Sequence, residues 1–347
     1  MSILCFLPPY FESIYILLAL VGDVNFAAGS FYDVQLDEQQ SDAISVTGQA
    51  NVSGATLRIQ AAPGAYPLEK EYEILTAEKG IKGTFANITS DLVFRTPRLR
   101  QNEHSAVLAV PRNEIPFEQL ADNQNQKNVA KILDKQEMLT DLKHPLSWLN
   151  EDSAHTAFDN LSGAVQASVH SILLANSHII REVVTTAMHR RKAADNHQSV
   201  WGNLLASKSS LKGDNKTEGV DHRTHGLVIG SDIKLGDNWH VGIAGAVGQT
   251  FFNTDQASSA GVIDNYNLAL YGGSHLGALA ARFGGAYAFH DLNLDRRIVF
   301  PGFSETVKSN YNAGTMQFWG ELSYAIPTNA ALFEPFFGLA HVSKRVA

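Results

Sequence analysis

One cysteine, Cys5, in 347 residues leaves no intramolecular disulfide framework to build a fold on. A chain that crosses an oxidising compartment unfolded is safer with few thiols, and this one has almost none. Charge is also scarce, at 18% of residues, and the formal net charge is −8. An acidic chain lacks the basic surface that phosphate neutralisation requires, which excludes nucleic acid as a partner. No stretch of about 18 apolar residues is free of charge, proline and glycine, so nothing calls for a transmembrane helix. No glycine-rich loop followed by lysine is available to cradle a phosphate, and no small-molecule substrate is indicated. Basic residues are missing from the N-terminus altogether, Arg58 being the first. The short apolar segment 13–21 therefore lacks the positive start of a secretory signal, although Ala27-Ala28-Gly29 supplies small residues of the cleavage-site kind. Residues 1–28 read as a leader foreign to the rest of the chain, or as a mis-assigned start.

Catalytic chemistry has no visible home either. The 13 histidines are scattered. His170, His178 and His189 fall in a helical stretch, and His222 and His225 flank an expected loop. His170 and His178 share a helix face by spacing, but no carboxylate completes a metal triad near them. Asp221, His222 and Ser231 form no recognisable nucleophile arrangement, because triads are defined by geometry. Asp264 and Asp291 read as loop or rim residues. The chain is not expected to be an enzyme, and no catalytic, cofactor-binding or metal-binding residue is assigned.

What is present is alternation. Hydrophobic residues make up 44% of the chain, with 27 glycines. In residues 239–251 the odd positions are Trp239, Val241, Ile243, Gly245, Val247, Gln249 and Phe251; the even positions are His240, Gly242, Ala244, Ala246, Gly248 and Thr250. One face is bulky with aromatics at both ends; the other is small and polar. A transmembrane barrel turns the first face to lipid and anchors it with aromatic girdles. About seven such strands are legible, at 200–209, 225–235, 239–252, 264–274, 279–294, 306–326 and 331–343. A lipid-facing arginine near mid-bilayer costs roughly 2–4 kcal/mol. Arg282 and Glu321 both fall on the small polar side, and so are the candidate lumen-facing residues, lining the interior against the helix. A soluble β-sandwich alternates in the same way and stands as the competing reading.

Two regions precede these strands. Residues 29–113 carry short strand-like runs at 31–37, 43–47, 56–61, 71–77, 92–97 and 105–110, separated by turns such as Ser53-Gly54 and Pro63-Gly64. Stacked short strands with glycine turns suit the end of a β-solenoid that must blunt its last edge, or else a small independent sandwich. Residues 114–197 are helical in character: 124–135 is one helix, 145–150 a turn, and 164–193 a long helix. In the long helix Val165, Val169, Ile172, Leu173, Asn176, Ile179, Ile180 and Val183 recur at spacings of three and four, and Arg190, Arg191 and Lys192 close it. About 28 residues span about 42 Å, more than a barrel's apolar band of roughly 25 Å, so this helix could thread a lumen or pack on a soluble domain.

Several segments, in order, carry a family resemblance. They are Phe26-Ala27-Ala28-Gly29-Ser30-Phe31-Tyr32 with Ser41-Asp42, Tyr72-Glu73-Ile74-Leu75-Thr76-Ala77 with Gly83-Thr84-Phe85, and Asn125-Gln126-Lys127-Asn128-Val129-Ala130. They continue with Phe158-Asp159-Asn160-Leu161-Ser162-Gly163, Val200-Trp201-Gly202, Leu270-Tyr271-Gly272-Gly273, Phe300-Pro301-Gly302-Phe303-Ser304 and Phe333-Glu334-Pro335-Phe336. Together they resemble the C-terminal half of a type Va autotransporter, from about residue 26 onward. The resemblance implies a mainly β chain of three parts. These are a passenger C-terminal stem or autochaperone (29–113), a linker and pore helix beginning near Phe158 (114–197), and an antiparallel outer-membrane β-barrel (198–347) with about seven of twelve strands.

The resemblance also implies a function. The barrel would enter the outer membrane through the barrel-assembly machinery, helped by periplasmic chaperones. Its own passenger would be exported and would fold at the cell surface from the stem, and vectorial folding would supply the energy. Outer-membrane lipid is the remaining partner. Some relatives cut their helix between two adjacent asparagines; Asn176 has no asparagine neighbour, so that step is not expected. Seven strands leave two unpaired edges in lipid, and the chain ends Lys344-Arg345-Val346-Ala347 where the family ends on an aromatic residue. A truncated or split gene product, lacking the passenger's effector portion, is the resulting expectation. The alternatives are a porin-like barrel, which the helix ahead of the first strand argues against, and a soluble β-rich adhesin, which the uncovered apolar faces argue against.

Overall fold

The computed structural model describes residues 15–62, 64, 70–163, 165–190, 198–213, 219–254, 259–328 and 331–346. The chain forms two compact units, Met1–Ser162 with Val299–Glu305, and Gly163–Ile298 with Thr306–Ala347.

In the first unit, nine short strands wind through three coils. The first coil holds β1 (Leu17–Leu20), β2 (Val24–Asn25) and β3 (Phe31–Leu36); the second β4 (Ala43–Val46), β5 (Ala50–Asn51) and β6 (Thr56–Ala61); the third β7 (Glu71–Ala77), β8 (Ile81–Lys82) and β9 (Asn87–Ser90). Each strand pairs in parallel with its counterpart one coil on, giving the stacks β1-β4-β7, β2-β5-β8 and β3-β6-β9. This is a β-solenoid, in which each coil buries its inward positions only against its neighbours. Val34, Leu36, Val46, Leu57, Ile59, Ile74 and Leu75 are fully buried between the faces. Polar side chains continue the stacking: Asn51 Nδ2 donates to Asn25 Oδ1 at 2.8 Å, and Tyr32 Oη donates to the Ile74 carbonyl at 2.5 Å. β10 (Arg98–Gln101) and β11 (Ser105–Ala109) form an antiparallel hairpin that pairs with β7 and covers the edge of that stack.

Two expectations change here. Residues 15–28 are the first coil of the solenoid, because Leu20 and Val24 pack on its core. The apolarity that resembles a signal core is what an inward-facing coil needs; positions 1–14 lie outside the described residues. Segment 92–97 is not a strand and makes only the isolated bridges Leu92↔Asn150 and Arg95↔Arg112. Pro97 brings no N–H to a ladder, and Arg95 is committed by its side chain. Its Nε donates to Ser147 Oγ at 3.0 Å, Nη1 donates to the Val110 carbonyl at 2.7 Å, and the guanidinium lies 3.9 Å above the Trp148 ring.

A helical layer follows: a 3-10 turn (Phe117–Leu120), α1 (Gln124–Lys135), α2 (Thr140–Leu146) and α3 (Glu151–Leu161). Asn123 and Asn150 cap α1 and α3 by accepting from the backbone N–H of Gln126 and Ser153. Phe158, placed by the resemblance at the start of the pore helix, sits fully buried in α3, its ring edge-on to Phe117 at 6.2 Å. The expected single region 114–197 is thus divided: α1–α3 group with the solenoid, and α4 (Val165–Arg190) belongs to the second unit. Gly163, at φ +67, supplies the left-handed residue that separates α3 from α4. Arg191 and Lys192, expected to close that helix, lie outside the described residues.

The second unit is a seven-stranded antiparallel sheet around α4. Its strands are β12 (Gln198–Leu211), β13 (Val220–Leu235), β14 (Trp239–Thr254), β15 (Ser259–Leu276), β16 (Leu279–Phe300) and β17 (Phe303–Tyr324). After the small pair β18 (Ile326–Pro327) and β19 (Leu332–Phe333) comes β20 (Phe336–Val346), in the order β12-β13-β14-β15-β16-β17-β20. β16 and β17 run longer than the sequence reading, at 22 residues each. His222 and His225 lie within β13, and Asp264 and Asp291 within β15 and β16, rather than in or beside loops. Among the described residues β12 and β20 each pair on one side only. No described helix is long and apolar enough to cross a membrane, which leaves open crossing by strands.

Register turns the alternation into rows. Leu204, Leu227, Val247, Tyr266 and Phe289 face outward across five strands, followed by Ile229, Gly245, Leu268 and Tyr287. All the large side chains in these rows are exposed. From Leu227 to Leu235 the apolar face of β13 rises roughly 20 Å at a barrel-like tilt, comparable with a lipid-facing band of about 25 Å. Trp239 and Phe283 meet edge-on at 6.2 Å at one border of that band, a girdle pair.

Candidate functional site

The opposite face of the sheet is small and polar, and it holds α4. The helix stripe Val165, Val169, Ile172 and Leu173 packs on Val220, Phe252, Ile263, Leu292 and Leu294. Ile180, Val184 and Met188 pack lower down on Val228, Ala244, Ala246, Ala269 and Trp319. Alanines and glycines opposite the helix leave room for it. Trp201 lies over Gly230, and Trp319 over Gly284, where an added Cβ would meet the ring at 2.2 and 2.3 Å. Glycine is therefore required at both places for the ring to lie flat on the neighbouring strand.

Between the two apolar patches the helix presents Asn176, and the wall answers with a polar belt. Thr224, Thr250, Asn265, His290 and Thr315 come one each from β13 to β17 and are all buried. Thr224 and Thr250 share a hydrogen bond of 2.9 Å, and Asn265 Nδ2 donates to Thr250 Oγ1 at 3.1 Å. His290 joins Asn265 through Nδ1 at 2.7 Å and Thr315 through Nε2 at 3.0 Å. Asn176 Nδ2 donates to Thr250 Oγ1 at 3.0 Å, and its Oδ1 accepts from Thr224 at 3.4 Å. One turn further, Gln317 Nε2 donates to the Ser177 carbonyl at 2.8 Å, and Arg181 Nη1 donates to Gln317 Oε1 at 3.0 Å. A cavity of about 40 Å³ lies beside Asn176, too small for an organic ligand and large enough for water.

A second anchor holds the C-terminal end of α4. Arg282 is 4% exposed, and its Nη1 donates to Glu321 Oε1 at 2.9 Å and to Ser323 Oγ at 2.8 Å. Its Nη2 donates to Glu334 Oε1 at 3.0 Å. Glu321 Oε1 also takes His189 Nε2 from the helix at 2.8 Å, so one carboxylate joins wall and helix. Glu334, in the connection before β20, is held below the usual carboxylate range, first by the Ser323 hydroxyl and then by Arg282. Arg282 and Glu321, singled out in the sequence, thus sit on the helix side in direct contact.

The other sequence candidates do not converge. His222 faces the helix side while Asp221 and Ser231 face away, so no nucleophile arrangement forms. Lys344 Nζ donates to the backbone carbonyl of His170, and His178 is exposed. Among the described residues no group of three or more His, Cys, Asp or Glu is placed to hold a metal. The belt itself was missed. Its signal was present in the small polar face of each strand, but which Thr meets which Asn depends on register.

A lipid-suited outer face around a polar wall that seats a helix is the architecture of an outer-membrane β-barrel domain. Residues 200–346 match the family model for the autotransporter beta-domain. Over these residues the chain is similar to an autotransporter beta-domain. It is similar to two extracellular serine proteases of Serratia marcescens, at 27% identity over 94% of this chain and at 24% identity over 93%. The chain spans 37% and 36% of the length of those relatives.

Proposed function

We propose that this chain is the export and anchoring portion of a self-secreting surface protein: the β-domain holds the membrane, α4 occupies its interior, and the solenoid is the stem of an exported passenger. The observation that carries the reading is the match between α4 and its wall, apolar against apolar with Asn176 on the polar belt between. A porin would keep that interior open. Arg282 and Glu321 act as lumen residues that fasten the helix end to the wall.

In lipid, unpaired strand edges leave backbone groups unsatisfied at several kcal/mol each. The free edges of β12 and β20 are therefore paired in the membrane-inserted form. Assembly through the barrel-assembly machinery and periplasmic chaperones follows from the same reading. The protease activity named for the relatives belongs to those proteins; the part of them aligned here is assigned export, not catalysis.

Fractionation of a Gram-negative host expressing the chain tests this. The β-domain should be recovered in outer membranes, with the solenoid accessible to external protease and α4 protected. Recovery in the soluble fraction without detergent, or an α4 cut as fast as the solenoid, would refute it.

A further inference from the structure

Two cations stand opposite one another on the outer face. Lys208 of β12 is in register with Arg223 of β13, both side chains are exposed, and alternation turns both away from α4. Like charges directly opposite across a ladder destabilise it unless an anion joins them. Among the described residues neither forms an ion pair, and Asp221, the next outward position on β13, does not reach ion-pair distance of either.

Their position is as telling as their charge. Two residues along each strand the outward row is Ala206, His225, Gln249, Asp264 and Asp291, and the row beyond that is the apolar Leu204-Leu227-Val247-Tyr266-Phe289. The two cations therefore stand just past the border of the lipid-suited band. Phe251 is in register with Arg223, and its ring is stacked on His225 at 5.4 Å, giving that border an aromatic floor. Long basic side chains at such a border extend their charged ends into the headgroup layer.

We propose that Lys208 and Arg223 form a docking site for the phosphate of an anionic lipid headgroup, the guanidinium binding two phosphate oxygens and the ammonium a third. This rests on the outer face being lipid-facing.

The test uses the full chain refolded into vesicles of zwitterionic phospholipid, with and without phosphatidic acid, followed by mild detergent extraction and counting of the lipid retained per protein. The wild type should retain phosphatidic acid above its share of the bilayer. Lys208→Gln with Arg223→Gln should lower that enrichment roughly tenfold. Lys208→Arg with Arg223→Lys should keep it. Protease-resistant β-domain in every variant shows that the sheet is intact. Equal enrichment in wild type and the double Gln variant overturns the site. If wild type shows no enrichment of phosphatidic acid while the pair binds millimolar inorganic phosphate, it is a free-anion site and lipid docking is overturned. A chain that enters neither vesicle sinks the membrane reading beneath both proposals; entry without headgroup preference sinks only this one.

Discussion

Arg282→Met is the most exacting test of the anchor at the end of α4. Methionine fills much of the arginine's apolar volume, so the change removes a charge and three hydrogen bonds rather than opening a cavity. It leaves Glu321, whose side chain is 12% exposed, without its wall cation, and Glu334, at 31%, without its partner. Breaking a buried ion pair costs about 3–5 kcal/mol, because the surviving charge keeps its desolvation penalty. Glu334 is open enough to rehydrate, so the loss falls mainly on Glu321 and should be near the lower figure. The assay is amide hydrogen exchange of the full chain in detergent micelles, read on peptides covering the last turns of α4. A local opening made easier by about 3 kcal/mol speeds exchange there roughly 150-fold. The first turns, around Val165 and Val169, should be unchanged. Arg282→Met combined with Glu321→Gln should recover most of the protection, since the mostly buried carboxylate is gone and Glu334 is open enough to rehydrate. Unchanged exchange in the single variant, or no recovery in the double, refutes the reasoning.

Two further outcomes follow from the same geometry. Glu334 has a folded-state value below the ordinary glutamate range, so its contribution is present above about pH 4.3 and fades as pH falls below it; exchange at the end of α4, corrected for intrinsic rate, should be level above that pH and rise below it, and Glu334→Gln should flatten that rise. Asn176→Leu removes two hydrogen bonds from the belt and should lower stability in urea by about 1–2 kcal/mol, whereas Asn176→Leu with Thr250→Val and Thr224→Val should regain part of it because no buried hydroxyl is left without a partner.

Which parts of the molecule were legible follows from how many residues each signal spans. Strand alternation over a dozen residues, as from Trp239 to Phe251, placed all seven strands of the sheet. β2, β5 and β8 have two residues each, too few for any period, and went unseen. β1 was hidden by a resemblance of composition: apolar Leu18 and Leu20 suit a signal core and a solenoid coil equally well. α2 carries Pro145 inside it and went unread as a helix, the turn expected at 145–150 taking in only its last two residues. At the site, Arg282 and Glu321 stood out because charge is expensive on the wrong face. The belt residues did not, since Thr, Asn and His are unremarkable singly and acquire meaning only through the pairings Thr224↔Thr250 and Asn265↔His290.

The break in the α4 stripe has a mechanical consequence. A uniformly apolar helix against a uniformly small wall could slide or turn with little penalty. With Asn176 between Leu173 and Ile180, a slip of one turn, about 5.4 Å, would press the amide against alanines or against Ile263 and strand the belt hydroxyls opposite leucine or isoleucine. The helix thus behaves as a rod with a single detent. The seated helix stops at one depth and one rotation, and so fixes how much chain extends past each end of the wall that holds it.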